Sequence, residues 1–360
     1  MISYFNNRLN QLFNQIEISG YHGFYITNMT NIRYLTGFTG SSAILFILNQ
    51  KAYFLTDGRY IVQSKNEVKN SEIFIIDKSY FDTIKNNILK SSDKISIGFE
   101  SDILSVSHHQ NLLKIFPSIN WEPTSSIIEN IAAVKDQQEI ESLKTAIEIT
   151  DYVFTQILPE IKEGVSEKYI AAKISYLFKT NGAEGDSYES IIASGPRSAL
   201  PHARATDKEF QKGDFIVMDF GALYNGYHAD MTRTVLIGPA TSKHHEIYDI
   251  VLESQLNGIN TAKADIECLE VDKACRTIIQ DKGYGEFFNH STGHGIGLEV
   301  HTLPRIHKTN KEILKTNHVI TIEPGIYLRN WGGVRIEDDC LIMPDHCLPL
   351  NQSTKELIII

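Results

Sequence analysis

The chain has 360 residues, enough for about two domains with a substantial buried core. Its 42% hydrophobic and 22% charged residues are the composition of a soluble globular protein. The net charge of -10 argues against a surface that coats nucleic acid, and no apolar run approaches the roughly 20 residues needed to span a bilayer. The opening MISYFNNRLN has no basic start followed by an apolar run, so no secretory signal is expected. The four cysteines, Cys268, Cys275, Cys340 and Cys347, form no CxxC pair. They are expected to be reduced, buried thiols of a cytoplasmic protein.

In chain order, residues 1–18 carry Phe5, Leu9, Leu12, Phe13 and Ile16 at helical spacing, and Gly20 ends that segment. Strand-like runs follow at 23–27, 43–48 and 52–56, the last two joined by a short turn at Asn49-Gln50. Further strands are expected at 72–77 and 94–100, with a helix at 80–90. This alternation predicts a mixed sheet covered by helices, so the fold class is α/β in the broad α+β sense. Residues 131–154 have acidic residues early, apolar Ile140, Leu143, Ile147 and Val153, and no Gly or Pro. That is a long amphipathic helix, and the domain boundary is placed just before it, giving domains 1–130 and 131–360. Helices are also expected at 166–179, with Ser166 as N-cap, at 244–264 and at 271–281. The intervening strands alternate polar and apolar residues, which predicts helices packed on an antiparallel sheet. No internal repeat or low-complexity segment is visible.

Between two β-like runs in FIVMDFGALYNGYHADMTRTVLIG stands Asn225-Gly226, a strong signal for a two-residue type I′ hairpin loop. With that loop Tyr224 faces Tyr227, and Asp219 faces Thr232. Asp219 and Asp230 then share a sheet face on the ladder diagonal, roughly 7–8 Å apart at Cα. Buried among Val217, Met218 and Phe220, two aspartates repel each other unless a cation joins them. Glu323 in HVITIEPGIYL faces away from Ile320 and Ile322, and Pro324-Gly325 ends that strand. Arg335 and Glu337 in GGVRIEDDCLI share the face opposite Val334 and Ile336. Each of these last two segments, taken alone, is equally compatible with a solvated strand. Together, four carboxylates and two divalent cations make a neutral cage that can be buried. His294, in HSTGHGIGLEVH, is the natural nitrogen ligand, because Gly293 and Gly295 let backbone approach and leave the ring uncrowded. Oxygen-rich ligation with one imidazole suits Mn, Co, Zn or Fe. Two such ions can share a hydroxide and make it a nucleophile near neutral pH.

The set MDFGALYNGYHADMTRTV, GHGIGLEVH, TIEPGIY and GVRIED resembles the dinuclear-metal "pita-bread" peptidases, which include aminopeptidase P, prolidase and methionine aminopeptidase. The first 130 residues, with NIRYLTGFTGS and FLTDGRY, resemble the N-terminal domain of the aminopeptidase P and prolidase branch. The resemblance implies a creatinase/prolidase-type N-terminal domain and a C-terminal pita-bread domain with a curved antiparallel sheet and flanking helices. It implies that Asp219 binds one metal, that His294 and Glu323 bind the other, and that Asp230 and Glu337 bridge both. It places His202, in ASGPRSALPHARAT, and His301 beside the substrate's peptide group. His290 matches a third position near the metals, and Arg335 an arginine that organises acidic groups or binds substrate. Glu323 is also expected to accept a proton from the attacking water.

The implied reaction is hydrolysis of the bond before a proline in the second position of a peptide, by a metal-bridging hydroxide. The first expectation is an Xaa-Pro aminopeptidase with two metal ions per subunit, manganese foremost, working as a cytoplasmic homodimer. SGPRSALPH and NGYHADMTRTV favour that branch. The alternative is a prolidase limited to Xaa-Pro dipeptides, and HTLPRI does not separate the two. A binding scaffold or a creatinase-like hydrolase without metal is disfavoured, because all five ligand positions are filled.

Overall fold

The computed structural model describes residues 4–89 and 95–360. They form two compact units, one ending at Ala132 and one running Ala133–Ile360. The first unit opens with α1 (Tyr4–Ile18), whose Leu9, Leu12 and Ile16 are buried. It continues through β1 (Gly23–Ile26), α2 (Met29–Thr36), β2 (Ile44–Leu48), β3 (Lys51–Thr56), α3 (Ile61–Glu67), β4 (Glu72–Ile75), α4 (Tyr80–Thr83), β5 (Ile95–Glu100), α5 (Val106–Ile115), β6 (Ile119–Thr124) and α6 (Ile127–Ala133). Its six strands lie in the order β4-β3-β2-β1-β5-β6, with antiparallel pairs at β1–β2 and β2–β3 and parallel pairs elsewhere. Asn49 and Gln50 both have positive φ, as a two-residue loop between β2 and β3 requires. The ends of the expected elements at Met1, Lys90 and Lys94 lie outside the described residues. The expected helix at 80–90 is split, because α4 passes into a wider helical turn over Ile84–Ile88.

The second unit begins with α7 (Gln137–Ile157). Asp136 caps it, accepting from Glu139 N while the Glu139 carboxylate accepts from Asp136 N. That capping box starts the helix six residues later than the apolar periodicity alone suggests, and the chain before it belongs to α6. In α8 (Glu167–Thr180) the Ser166 hydroxyl accepts from Tyr169 N, as an N-cap should. Then follow β7 (Gly185–Asp186), β8 (Ile191–Ser194), β9 (Phe215–Phe220), β10 (Ala222–Tyr224), β11 (Tyr227–His228) and β12 (Met231–Leu236). After α9 (Ser242–Thr261) and α10 (Cys268–Asp281) come β13 (Gly293–Gly295), β14 (Thr302–Ile306), β15 (Val319–Ile322), β16 (Gly325–Leu328), β17 (Gly332–Arg335), β18 (Asp338–Ile342), β19 (Cys347–Pro349) and β20 (Ile358–Ile359).

The expected curved sheet is broken into several ladders. Two matter for the site: β20-β12-β9-β8, and the fully antiparallel β14-β13-β15-β18-β19. Helices α9 and α10 bury Ile247, Val251, Val271 and Cys275 against Ile320, Ile322 and Ile336. Helices α7 and α8 bury Phe154, Ile170 and Phe178 against Met218 and Phe220. The four cysteines are free and buried. Among the described residues no helix is long and apolar enough to cross a membrane.

Candidate active site

The hairpin that carries two of the aspartates has the expected register. Asn225 (φ 51) and Gly226 (φ 75) form its loop. Tyr224 pairs with Tyr227, and Asp219 with Thr232. Asp219 and Asp230 converge, and the Tyr188 hydroxyl donates to an oxygen of each. Burial, then the Asp219 and Asp230 charges, hold the Tyr188 phenol well above its usual range, so it remains the donor. Its single proton serves two carboxylates.

The opposite wall is built from β13 and β15. A Cβ on Gly293 would sit 1.9 Å from Thr321 O, and one on Gly295 would sit 2.0 Å from Leu303 O. Glycine is therefore required on both sides of His294 if its strand is to pack between β14 and β15. His294 Nδ1 lies 3.0 Å from the Gly295 carbonyl, which can only accept. Nδ1 thus carries the proton, and the Nε2 lone pair faces the cage. Nε2 is 3.7 Å from Asp230 Oδ2 and 3.5 Å from Glu323 Oε1. Ligand atoms of Asp230, His294 and Glu337 all lie within 4.8 Å of one another. Thr321 steadies this wall, donating to Glu323 Oε1 at 3.3 Å while accepting from His294 N at 3.1 Å.

The electrostatics of the cage suit a cation. Burial, then Asp219, Asp339 and Glu323, hold the Asp230 carboxyl well above the usual range. Burial followed by Asp230 and Asp219 does the same to Glu337, and burial followed by Glu337 does so to Glu323. His294 is pushed down to about 4 by burial and then by His301, so its imidazole is neutral. Crowded carboxylates beside a neutral imidazole with an open Nε2 fit divalent cations of the oxygen- and nitrogen-loving kind.

Around the cage lies a cavity of about 410 Å³. Asp219, Asp230, His294, Glu323, Glu337, His202, His290, His301 and Arg335 all line it. Their surroundings separate them. Arg335 and Glu337 are buried, at 3% and 1% exposure, which removes the solvated-strand reading. His202 and His301 are exposed, and the His301 ring meets His294 edge-on at 4.3 Å between centroids. His290 differs. Its Nδ1 faces Ser291 O at 2.7 Å and its Nε2 faces Tyr327 OH at 2.9 Å. Burial, then Arg335, pushes it down to about 3. Both nitrogens of this neutral ring are engaged by the protein, so His290 supports Tyr327.

Sequence reasoning missed Tyr188, Tyr327, Thr321 and Arg305. Thr232, which pairs with Asp219 across the hairpin, also belongs to the site. Its hydroxyl donates to Glu337 Oε2 at 2.6 Å and accepts from Arg335 Nε at 3.0 Å. The hairpin register alone could have found it. Arg305 lies on β14, four residues beyond His301, and lines the cavity.

The sequence matches Metallopeptidase family M24 over residues 141–344 and the Creatinase/Prolidase N-terminal domain over residues 8–134. It is 38% identical over 357 residues to an Xaa-Pro dipeptidase of Pyrococcus furiosus, covering 98% of this chain and 99% of that one. Among solved structures, an Xaa-Pro dipeptidase from Bacillus anthracis superposes with a TM-score of 0.94 at 38% identity, covering 98% of this chain and 99% of that one. An X-Pro aminopeptidase from Thermotoga maritima superposes with a TM-score of 0.88 at 37% identity, covering 96% and 100%. With an M24 match over more than half its length and relatives similar from end to end, the chain belongs to metallopeptidase family M24, with a pita-bread peptidase domain behind a creatinase/prolidase-type N-terminal domain.

Proposed function

We propose that this chain is an Xaa-Pro dipeptidase: it hydrolyses the bond between an N-terminal residue and a C-terminal proline. The observation that carries this reading is the state of the cavity's two guanidinium groups. Arg335 is committed to Asp219 and Tyr327. Arg305 is exposed, lines the same cavity and has no carboxylate partner among the described residues. Its charge reaches the rings of His294 and His301. A free guanidinium beside the reacting bond suits the α-carboxylate of a dipeptide. The relatives named Xaa-Pro dipeptidase support the same choice.

Asp219, Asp230, His294, Glu323 and Glu337 would hold two divalent ions. When bound, those ions would lower the pKa of a bound water and polarise the scissile carbonyl. Glu323 takes the proton of the attacking water and delivers it to the prolyl nitrogen as the C–N bond breaks. His202 and His301, at the open side of the cavity, donate hydrogen bonds to the tetrahedral intermediate. Proline's nitrogen carries no N–H, so the site has no donor to satisfy there, and the ring is read by shape. The resemblance further implies manganese, a homodimer and the cytoplasm as the working state of the enzyme.

The aminopeptidase reading is the second one. It is favoured by SGPRSALPH and by the similarity to the Thermotoga maritima X-Pro aminopeptidase. Hydrolysis of Met-Pro and of Met-Pro-Gly separates the two. A dipeptidase cleaves Met-Pro and leaves the tripeptide intact, and the R305M variant loses Met-Pro through KM. Equal cleavage of both peptides establishes the aminopeptidase instead.

A further inference from the structure

The five candidate ligands come from two different sheets. Asp219 lies on β9, and Asp230 immediately precedes β12. His294 lies on β13, and Glu323 immediately follows β15. Glu337 immediately precedes β18, on the second sheet. No ladder joins β12 to β18. The spacing of the donors across this seam therefore depends on the side chains that stitch it.

Glu337 is fixed several times over. Its N–H donates to Thr232 O at 3.1 Å, its carboxylate accepts from Thr232 Oγ1, and its carbonyl accepts from Arg233 Nη1 at 2.5 Å. Arg233 is 1% exposed and also pairs with the buried Asp338 at 2.7 Å. Asp230 is held differently. Its backbone N–H donates to Asp339 Oδ2 at 2.9 Å, across 109 residues of sequence.

Asp339 is fully buried and sits at a junction. Its backbone lies opposite Thr321 in the β15–β18 ladder. Thr321 is the residue that steadies both Glu323 and His294. The Asp339 N–H donates to Asn351 Oδ1 at 2.7 Å, and its carbonyl accepts from Leu350 N at 2.8 Å. One residue thus ties the start of β12 to the wall carrying His294 and Glu323, and is itself pinned by the segment at 350–351. Asp339 Oδ1 has no hydrogen-bond partner, so the carboxylate's contact to Asp230 N is its specific polar contact in the seam.

The geometry points to Asp339 as a positioning residue that sets where Asp230, the candidate bridging carboxylate, stands relative to the opposite wall, and so sets the affinity of the ion pair. This rests on the metal reading of the site given above. Without the Asp339 carboxylate, a buried N–H loses its acceptor and the backbone of Asp230 is free to shift. Supporting groups of this kind change metal affinity by about 10–100-fold when removed.

The test is calorimetric titration of Mn2+ into stripped, full-length wild type, D339A and D339N. In D339A the weaker-binding ion loses about 10–100-fold in affinity. D339N keeps an oxygen that can accept from Asp230 N, and stays within about threefold of wild type. A purely structural role would not separate alanine from asparagine in this way. Wild-type affinity in D339A overturns the inference, as does a D339N loss as large as that of D339A. Where D339A does not fold, Asn351→Ala carries the test, because it unpins Asp339 and leaves its carboxylate in place. Weakening of about threefold supports the inference, and unchanged affinity overturns it. A wild type that takes up no Mn2+ overturns the metal reading and this inference with it, whereas failure of the variants alone leaves the metal reading standing.

Discussion

Arg335 Nη2 donates to Asp219 Oδ2 at 2.5 Å, and both side chains are buried. The same guanidinium reaches Thr232 and Tyr327, so it holds the acidic cage and the Tyr327–His290 support together. Removing one partner of a buried pair strands the other charge, at a cost of about 3–5 kcal/mol. R335M is therefore expected to destabilise the metal-free protein by about that much. Bound cations then compensate Asp219, so the loss shrinks in excess Mn2+. Urea unfolding with chelator and with metal measures both values. An equal loss in the two conditions would show that Arg335 does not share Asp219 with a cation.

Asp230, Glu323 and Glu337 all have carboxyls held well above the usual range, chiefly by burial and then by one another or by Asp219. Between the ordinary carboxylate pKa and those raised values, the folded chain binds more protons than the unfolded one. Stability of the metal-free protein therefore falls as pH rises through that window. Cations reverse the penalty and expel the protons. The rise in Tm on adding Mn2+ is expected to be larger at about pH 8 than at about pH 5. A metal-induced rise that is the same at both pH values would contradict the cage electrostatics.

His294 and His301 touch ring to ring, yet their variants should fail differently. H294A removes the open Nε2 and is expected to lose metal and activity together. H301A is expected to keep both ions and to lose about 100-fold or more in kcat, the range for a positioned proton donor or acceptor. Metal analysis beside steady-state kinetics reads both. Emptying of the site in H301A would undo this division of roles.

Lys135 is 2% exposed, and burial lowers its pKa from 10.5 to about 8, with Glu139 opposing. Its Nζ donates to Ala133 O. The folded chain binds fewer protons than the unfolded one between those values, so stability rises as pH climbs from 8 toward 10.5. At about 1.36 kcal/mol per unit, the penalty at neutral pH is about 3 kcal/mol. K135M is expected to flatten this pH dependence and to raise Tm at neutral pH. A variant with an unchanged slope would show that Lys135 keeps its proton on folding.

Legibility followed how local each determinant is. The Asn225-Gly226 turn fixes the register of its own hairpin, so the convergence of Asp219 and Asp230 could be read from the sequence alone. The glycines beside His294 announced a close approach, though not that Thr321 and Leu303 are what approach. Tyr188, Tyr327 and Asp339 were invisible because each acts across 8 to 109 residues of sequence on a partner in another element. In the first unit, β6 carries Pro123, a residue that argues against a strand. It is an edge strand, where a missing N–H is tolerated. Helices α2 and α5 are short and stand beside turn-forming residues, so their periodicity had little length in which to show.

Two cations, held by Asp219, Asp230, His294, Glu323 and Glu337, would make this chain an active Xaa-Pro peptidase. Mn2+ titrated into stripped protein, with Met-Pro hydrolysis followed at each addition, decides whether they do. No hydrolysis in the stripped protein and a plateau at two ions per chain are expected. Full activity in the stripped protein, or a plateau at one ion per chain, would rule out the two-cation centre.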